Sequence, residues 1–204
     1  KSEKLKQISN LSSGDVVIDI GSNDGTSLKN FEKKYKLIGV DPTIKKLKNL
    51  YRKDIIKVPE FFNKDSIKKY IKNKKAKIIT TISMFYDLPN PIKFAQDINE
   101  SLDDNGIWHL EQSYMPSMIK NISYDTICHE HLEYYSLKSI KYIFDQVDLK
   151  IIDLEFNDIN GGSFAITVAK KKSKYSEIKK IINWLLKKEE IYKYNSYNTH
   201  VNFF

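Results

Sequence analysis

The sequence predicts an α/β protein: a parallel sheet with helices on both faces and an antiparallel hairpin at its C-terminal edge. Three observations carry this. Apolar runs of strand length alternate five times with segments of helical period, the pattern of repeated β-α units. The first run, Val16-Val17-Ile18-Asp19-Ile20, is almost wholly apolar and stops at a glycine, as strands buried on both faces do. Near the end, two apolar runs lie too close together for a helical crossover, so they pair antiparallel.

The elements follow in order. After the first strand comes a helix over 26–34, then a strand over 36–40 and a helix over 44–51. A short third strand spans 54–58 and a helix 66–71. The fourth strand, 76–83, is closed by Leu88-Pro89-Asn90-Pro91. A helix over 92–102 places Ile92, Ala95, Ile98 and Leu102 on one face. Asp103-Asp104-Asn105-Gly106 reads as a turn before a fifth strand over 107–110. Residues 111–132 are polar and aromatic without a clear period, and stretches this long in a compact domain are usually functional. A helix over 137–147 precedes the hairpin strands, 149–156 and 163–169. A lysine-rich helix over 176–194 turns Ile178, Ile181, Ile182, Leu185 and Leu186 inward. It follows a completed sheet. The chain therefore divides into a domain over 1–172 and a C-terminal helix over 173–204 that leads toward a further domain.

Composition narrows the function classes. The 204 residues suffice for one domain with a sizeable core. The single cysteine, Cys128, excludes an internal disulfide and a cysteine-cluster zinc site. No apolar run approaches the ~18 residues that span a bilayer, and the first residues carry no secretory signal. A cytoplasmic setting with no membrane partner follows. The net charge of +8 rests on 34 basic residues, of which only Arg52 is arginine. Arginine is the favoured residue for phosphate and guanine. The lysines are spread over helix faces, so the reading is a solvated surface and no nucleic-acid partner. The chain begins without methionine and stops at an apolar end, which reads as a piece of a longer protein.

The first strand runs into Asp19-Ile20-Gly21-Ser22-Asn23-Asp24-Gly25-Thr26. Glycine there permits a tight turn and close approach of a ligand to backbone. A dinucleotide fingerprint needs a glycine where Asn23 stands, and no Gly-Lys-Ser/Thr follows for a Walker loop. An acid before the loop suits a ligand with an ammonium group and no phosphate, such as S-adenosylmethionine. The second strand ends in Gly39-Val40-Asp41-Pro42, with Asp41 twenty residues after Gly21. A carboxylate that far on commonly accepts from ribose hydroxyls. The expected cofactor residues are Asp19, Gly21, Ser22, Asn23, Gly25, Asp41 and Pro42, with Thr81 and Ser83 at the end of the fourth strand. Glu111 ends the fifth strand and is read with them, as lining cofactor or substrate. Phe61 and Phe62 could pack on adenine, although paired phenylalanines are more often core.

Residues 124–136 form the densest chemical segment: two of the four histidines, two glutamates and three tyrosines. Glu133 occupies the position where a zincin helix needs its second histidine. A metal on His129 and His131 lacks an obvious third ligand. Histidine titrates near neutrality, so general acid–base work is favoured over two hydrogen-bonded core histidines. The expected catalytic residues are His131, Glu130 and His129, with no metal. Tyr114, Tyr124, Tyr134 and Asn160 are expected to meet the substrate.

The Asp-Ile-Gly-Ser-Asn-Asp-Gly-Thr loop, the segment His129-Glu130-His131-Leu132-Glu133-Tyr134-Tyr135 and the later Asn160-Gly161-Gly162-Ser163 occur together. In this the chain resembles the S-adenosylmethionine-dependent C-methyltransferases of nucleotide deoxysugars, over about residues 11–170. The resemblance implies a Rossmann-like class I methyltransferase sheet and a dTDP-4-keto sugar as substrate. It implies methylation of the carbon beside the ketone. It also implies that the glycine loop and Asp41 hold the cofactor, that His131 is the base and that Glu130 lies close to the sugar. Members carry a cysteine-rich zinc domain before this region and a Rossmann-like domain after it, so further domains of a longer chain are implied partners. Cys128 stands where the family often has tyrosine. Residues 83–89 stand where many members have an asparagine-containing stretch ending in histidine.

The sequence leaves three rival readings. One is an O- or N-methyltransferase of another small molecule or RNA. Another is a cofactor-binding module that needs missing domains for activity. The third is a dehydrogenase, against which the missing middle glycine argues.

Overall fold

The computed structural model describes residues 1–203. In chain order the elements are α1 (Ser2–Ser9), β1 (Val16–Ile20), α2 (Thr26–Lys29), β2 (Lys36–Val40), α3 (Ile44–Leu47), β3 (Ile56–Val58), α4 (Lys64–Ile71), β4 (Ala76–Ile82), α5 (Pro91–Ser101) and β5 (Leu102–Ser113). They continue as α6 (Met115–Asn121), α7 (Leu137–Gln146), β6 (Leu149–Asn157), β7 (Ser163–Lys170), α8 (Lys179–Ile191) and α9 (Tyr197–Val201). The seven strands lie in the order β3-β2-β1-β4-β5-β7-β6. Five are parallel; β7 pairs antiparallel with both β5 and β6. The strand order reverses between β1 and β4. Ligands of open α/β sheets bind at such a reversal, beyond the carboxyl ends of the strands.

Alternation along the strands divides the core. Val16, Ile18 and Ile20 face a cluster with Ile67, Ile98, Trp108 and Phe144, which brings α4, α5 and α7 onto that face. Val17, Leu37, Ile78 and Ile107 face the other way, onto Leu5, Leu28 and Ile44 of α1, α2 and α3. The central strands are buried on both faces, which is why they read as continuous apolar runs.

Two expectations are corrected in detail. The helix over 26–34 stops at Lys29, because Asn30 turns its side chain back onto the Thr26 and Ser27 carbonyls. The Arg52 guanidinium then takes the carbonyls of Lys29 and Phe31, which a continuing helix would need for itself. The turn at Asp103–Gly106 is an excursion within β5. Ala76 pairs with Leu102 and Ile78 with Ile107, so Lys77 alone faces four residues. A Cβ on Gly106 would stand 2.6 Å from the Ala76 carbonyl oxygen, so the strand closes up again only with glycine there.

The C-terminal helix α8 packs on α7. Ile182 and Leu185 are buried and Ile178 and Leu186 lie against the core, whereas Ile181 and Trp184 face outward. Among the described residues no helix is long and apolar enough to cross a membrane.

Candidate active site

The loop after β1 turns through three residues with left-handed backbone: Gly21 (φ 70°), Asn23 (φ 48°) and Gly25 (φ 75°). A Cβ on Gly21 would press on the Met84 side chain at 3.0 Å. One on Gly25 would meet the Tyr51 ring at 2.6 Å, so the third turn of the loop tolerates only glycine. Tyr51 is the element that sequence reading missed. Its hydroxyl donates to the Asn23 carbonyl at 2.8 Å. That spends its one proton, so the Ser22 hydroxyl donates to Tyr51, at 2.7 Å. Burial pushes the Tyr51 phenol up to about 12. Gly39 also makes room for this ring.

Two carboxylates flank the loop. Asp19 is buried at the end of β1, and Thr80 of β4 donates to it at 2.5 Å. Burial, with Asp41 nearby, raises its pKa from 3.8 to about 7. Asp41 accepts from the Asn23 amide at 2.9 Å and from the Thr43 amide and hydroxyl at 2.7 and 2.6 Å. Three of about four acceptor positions on this carboxylate are thus filled, which leaves one for a hydroxyl. Pro42 follows, half-buried.

At the end of β4 the expected pair separates. Ser83 is exposed, has φ 53°, and its amide donates to the Glu111 carbonyl at 2.8 Å. It sits at the crest between β4 and β5, and its neighbour Met84 touches Gly21. Thr81 is fully buried, and its hydroxyl accepts from the Trp108 indole at 2.9 Å. Its side chain meets the core, on the opposite face of β4 from Thr80. The buried Glu111 carboxylate pairs with Lys1. Phe62 packs edge-on against Phe94, and Phe61 stands 81% exposed.

The histidine segment lies beside the turn that follows β4. The Leu132 and Glu133 amides both donate to the Tyr86 carbonyl, at 3.0 and 3.1 Å. The His131 ring packs at a tilt on the Tyr86 ring, with centroids 4.3 Å apart and planes at 53°. Its Nδ1 lies 2.8 Å from the Thr126 carbonyl oxygen. Asp87 faces it; burial pushes that carboxyl up, and His131 partly offsets the shift. His129 and Glu130 project into solvent, with side chains 92% and 74% exposed. Neither hydrogen-bonds to the His131 ring, so the group that orients His131 is a backbone carbonyl rather than the neighbouring glutamate. Among the described residues no three of His, Cys, Asp and Glu assemble as a metal cage.

Two of the four residues expected to meet substrate are engaged with other parts of the chain. The Tyr114 phenol donates to Glu189 at 2.6 Å in the core. Burial and that carboxylate drive its pKa far upward. Tyr124 stacks on Phe203, centroids 4.6 Å apart, and bonds its carbonyl. Tyr134 stays beside the site, with its hydroxyl 3.4 Å from the Thr126 carbonyl. Asn160 is exposed in a left-handed turn. The glycines after it let this turn press on α6: Cβ atoms on Gly161 and Gly162 would meet Ser123 and Ser117 at 2.6 Å. Gln112 and the Tyr135 hydroxyl were not singled out by sequence, yet both are buried without a hydrogen-bond partner.

Comparison with known proteins agrees with this geometry. The methyltransferase-domain family matches residues 2–154. C-methyltransferase NovU of Streptomyces niveus is 27% identical over 161 residues, which are 78% of this chain and 38% of that protein. The chain thus spans well under half the length of this curated relative. An S-adenosylmethionine-dependent methyltransferase from Clostridium acetobutylicum superposes with a TM-score of 0.63 at 14% identity, over 83% of this chain and 88% of the other. The plantazolicin methyltransferase BpumL, solved with a triazolic desmethyl analogue and SAH, gives 0.62 at 13% identity, over 82% and 81%. With the strand order 3-2-1-4-5-7-6, a glycine loop after β1 and an acid after β2, the chain belongs to the methyltransferase-domain family and has the Rossmann-like class I fold of S-adenosylmethionine-dependent methyltransferases.

Proposed function

We propose that the protein is a C-methyltransferase that takes its methyl group from S-adenosylmethionine and places it on the carbon beside the ketone of a nucleotide-linked sugar, in the cytoplasm. The residues fit the cofactor. Asp19, a buried acid with a raised pKa, suits an ammonium group, and the open acceptor position of Asp41 suits a ribose hydroxyl. Gly21, Ser22, Asn23, Gly25, Pro42 and Ser83 complete the cradle. When bound, S-adenosylmethionine supplies an electrophilic methyl group.

One observation carries the choice of base. A carbonyl oxygen only accepts, so the contact to Thr126 puts the proton of neutral His131 on Nδ1. Nε2 is left with its lone pair. It removes the proton from the carbon beside the ketone, and the charge passes into the carbonyl as an enolate. S-adenosylmethionine held by the glycine loop, Asp19 and Asp41 would supply the methyl group to that carbon, with its sulfur as the leaving atom. The imidazolium later returns its proton to water. Base catalysis of this kind contributes ~10²–10⁴ in rate. Tyr134, beside His131, and the exposed Glu130 and His129 are assigned to the sugar. NovU, a C-methyltransferase by name, supports the carbon acceptor. Residues 1–172 are assigned to the methyltransferase domain and 173–204 to a C-terminal segment, carrying α8 and α9, that leads toward further domains.

The test is incubation with a dTDP-4-keto-6-deoxy sugar in deuterated water, with and without S-adenosylmethionine. The expected result is deuterium entry beside the ketone and a product heavier by one methyl on carbon, both lost in His131→Ala. Methylation on oxygen or nitrogen with no deuterium entry would overturn the carbon acceptor and keep the class. Cofactor binding without turnover would indicate that further domains complete the site.

A further inference from the structure

The histidine segment is held from outside. Residues 127–136 form no helix or strand. They belong to an excursion that leaves β5 at Tyr114 and ends where α7 begins at Leu137. Both ends of that excursion meet on one side chain, Glu189 of α8, which is 1% exposed. Its Oε1 accepts from the Tyr114 hydroxyl at 2.6 Å and from the Leu137 amide at 2.7 Å; its Oε2 accepts from the Lys138 amide at 3.1 Å. The neck is further closed by the Met115 amide, which donates to the Tyr135 carbonyl at 2.9 Å. Everything from Thr126 to Tyr134 hangs beyond this neck.

A carboxylate is a costly group to bury merely to fasten a helix. α8 already docks through Ile182 and Leu185, and an apolar residue at 189 would extend that contact. The carboxylate adds convergence: three donors from two elements that border the histidine segment. α7 has a cap of its own in Ser136, whose hydroxyl accepts from the Ser139 amide. The Glu189 contacts are additional to it and reach across to β5.

We propose that Glu189 is a positioning residue for the methyl-transfer site: by closing the neck of the 114–137 excursion it keeps His131 on the Thr126 carbonyl, with Nδ1 protonated. Its catalytic consequence rests on His131 being the base; the positioning itself is tested without turnover. Glu189→Ala, Glu189→Gln and the control Leu185→Ala, which shortens an apolar side chain of α8 and keeps the Glu189 carboxylate, are compared by two readouts. These are the nitrogen chemical shifts of His131, which report its tautomer, and amide exchange over 124–138.

Glu189→Ala is expected to mix the His131 tautomers and to speed exchange across the segment about tenfold or more. Glu189→Gln, whose Oε1 still accepts from Tyr114 and Leu137, restores part of both. Leu185→Ala leaves the tautomer unchanged. A native His131 spectrum in Glu189→Ala overturns the proposal, and so does a Leu185→Ala spectrum that copies it. Should Glu189→Ala fail to fold, Tyr114→Phe removes one of the three bonds and faces the same readouts; an unchanged His131 spectrum and exchange rate there overturn the proposal. Loss of base function by His131 would show instead in the deuterium assay, so the two ideas fail separately.

Discussion

The glycine loop 21–25 and the histidine segment 127–136 lie at the same end of the sheet but are fastened in different ways. In the loop, Tyr51, Asp41 and the end of β2 take up backbone groups within a few residues of each other, and two positive-φ glycines fit against neighbouring side chains. In the segment, His129 and Glu130 stand in solvent, and order comes from Tyr86 on one side and the Glu189 neck on the other. Under the proposed function the difference has a reason: the loop that would hold a constant cofactor is built rigid, and the segment that would admit and release a sugar is hung from anchors at its edges. Loops that move for ligands are drawn from the less stable parts of a fold.

The comparison is sharpened by substitutions, taken from the largest effect down. His131→Ala should cost ~10²–10⁴ in turnover while calorimetry finds cofactor affinity within a factor of about two. Gly25→Ala should destabilise by about 2–4 kcal/mol in urea titration, because its φ and the Tyr51 ring both oppose a Cβ. Tyr51→Phe should cost ~1–2 kcal/mol and weaken cofactor binding, through loss of its bonds to Ser22 and Asn23.

Asp19 gives a pH signature. Its raised pKa means the fold favours the neutral carboxyl, so its contribution to stability is full below about 4 and fades as pH rises to about 7. A cationic ligand favours the carboxylate and expels that proton. Cofactor affinity should therefore climb with pH up to about 7, by at most ~10-fold per unit, and Asp19→Asn should flatten the slope seen by calorimetry. At the small end, His129→Ala should change stability by no more than ~0.5 kcal/mol. A larger loss in a melting experiment would mean that the exposed half of the segment is packed after all.

Much of the sheet was legible because its signals are local. β1 and β2 keep their predicted bounds, since strands buried on both faces leave continuous apolar runs. The class of the site followed from Gly21, Gly25 and Asp41, whose spacing is set by one β-α-β unit. Contacts between distant residues were not legible. The bond from the Tyr114 phenol to Glu189 has no local signal, because the two lie 75 residues apart. Tyr51 gave no signal, because its role exists only once β2 brings Gly39 under its ring. Thr81 read as lining the site from its place at a strand end. Strand alternation turns its side chain to the opposite face from Thr80, onto Trp108. The helix over 26–34 is drawn too long because Asn30 is a weak stop signal by itself and Arg52, which takes the Lys29 and Phe31 carbonyls, lies more than twenty residues on.

The positions of the two tryptophans make the molecule its own optical instrument. Trp108 is sealed between β4 and the α5–α7 layer, while Trp184 stands 60% exposed on α8. A water-soluble quencher reaches only the second. Emission that survives the quencher therefore follows the melting of the sheet alone, whereas emission without quencher also carries the surroundings of α8. The two traces together show whether the C-terminal helix leaves before the domain opens or together with it.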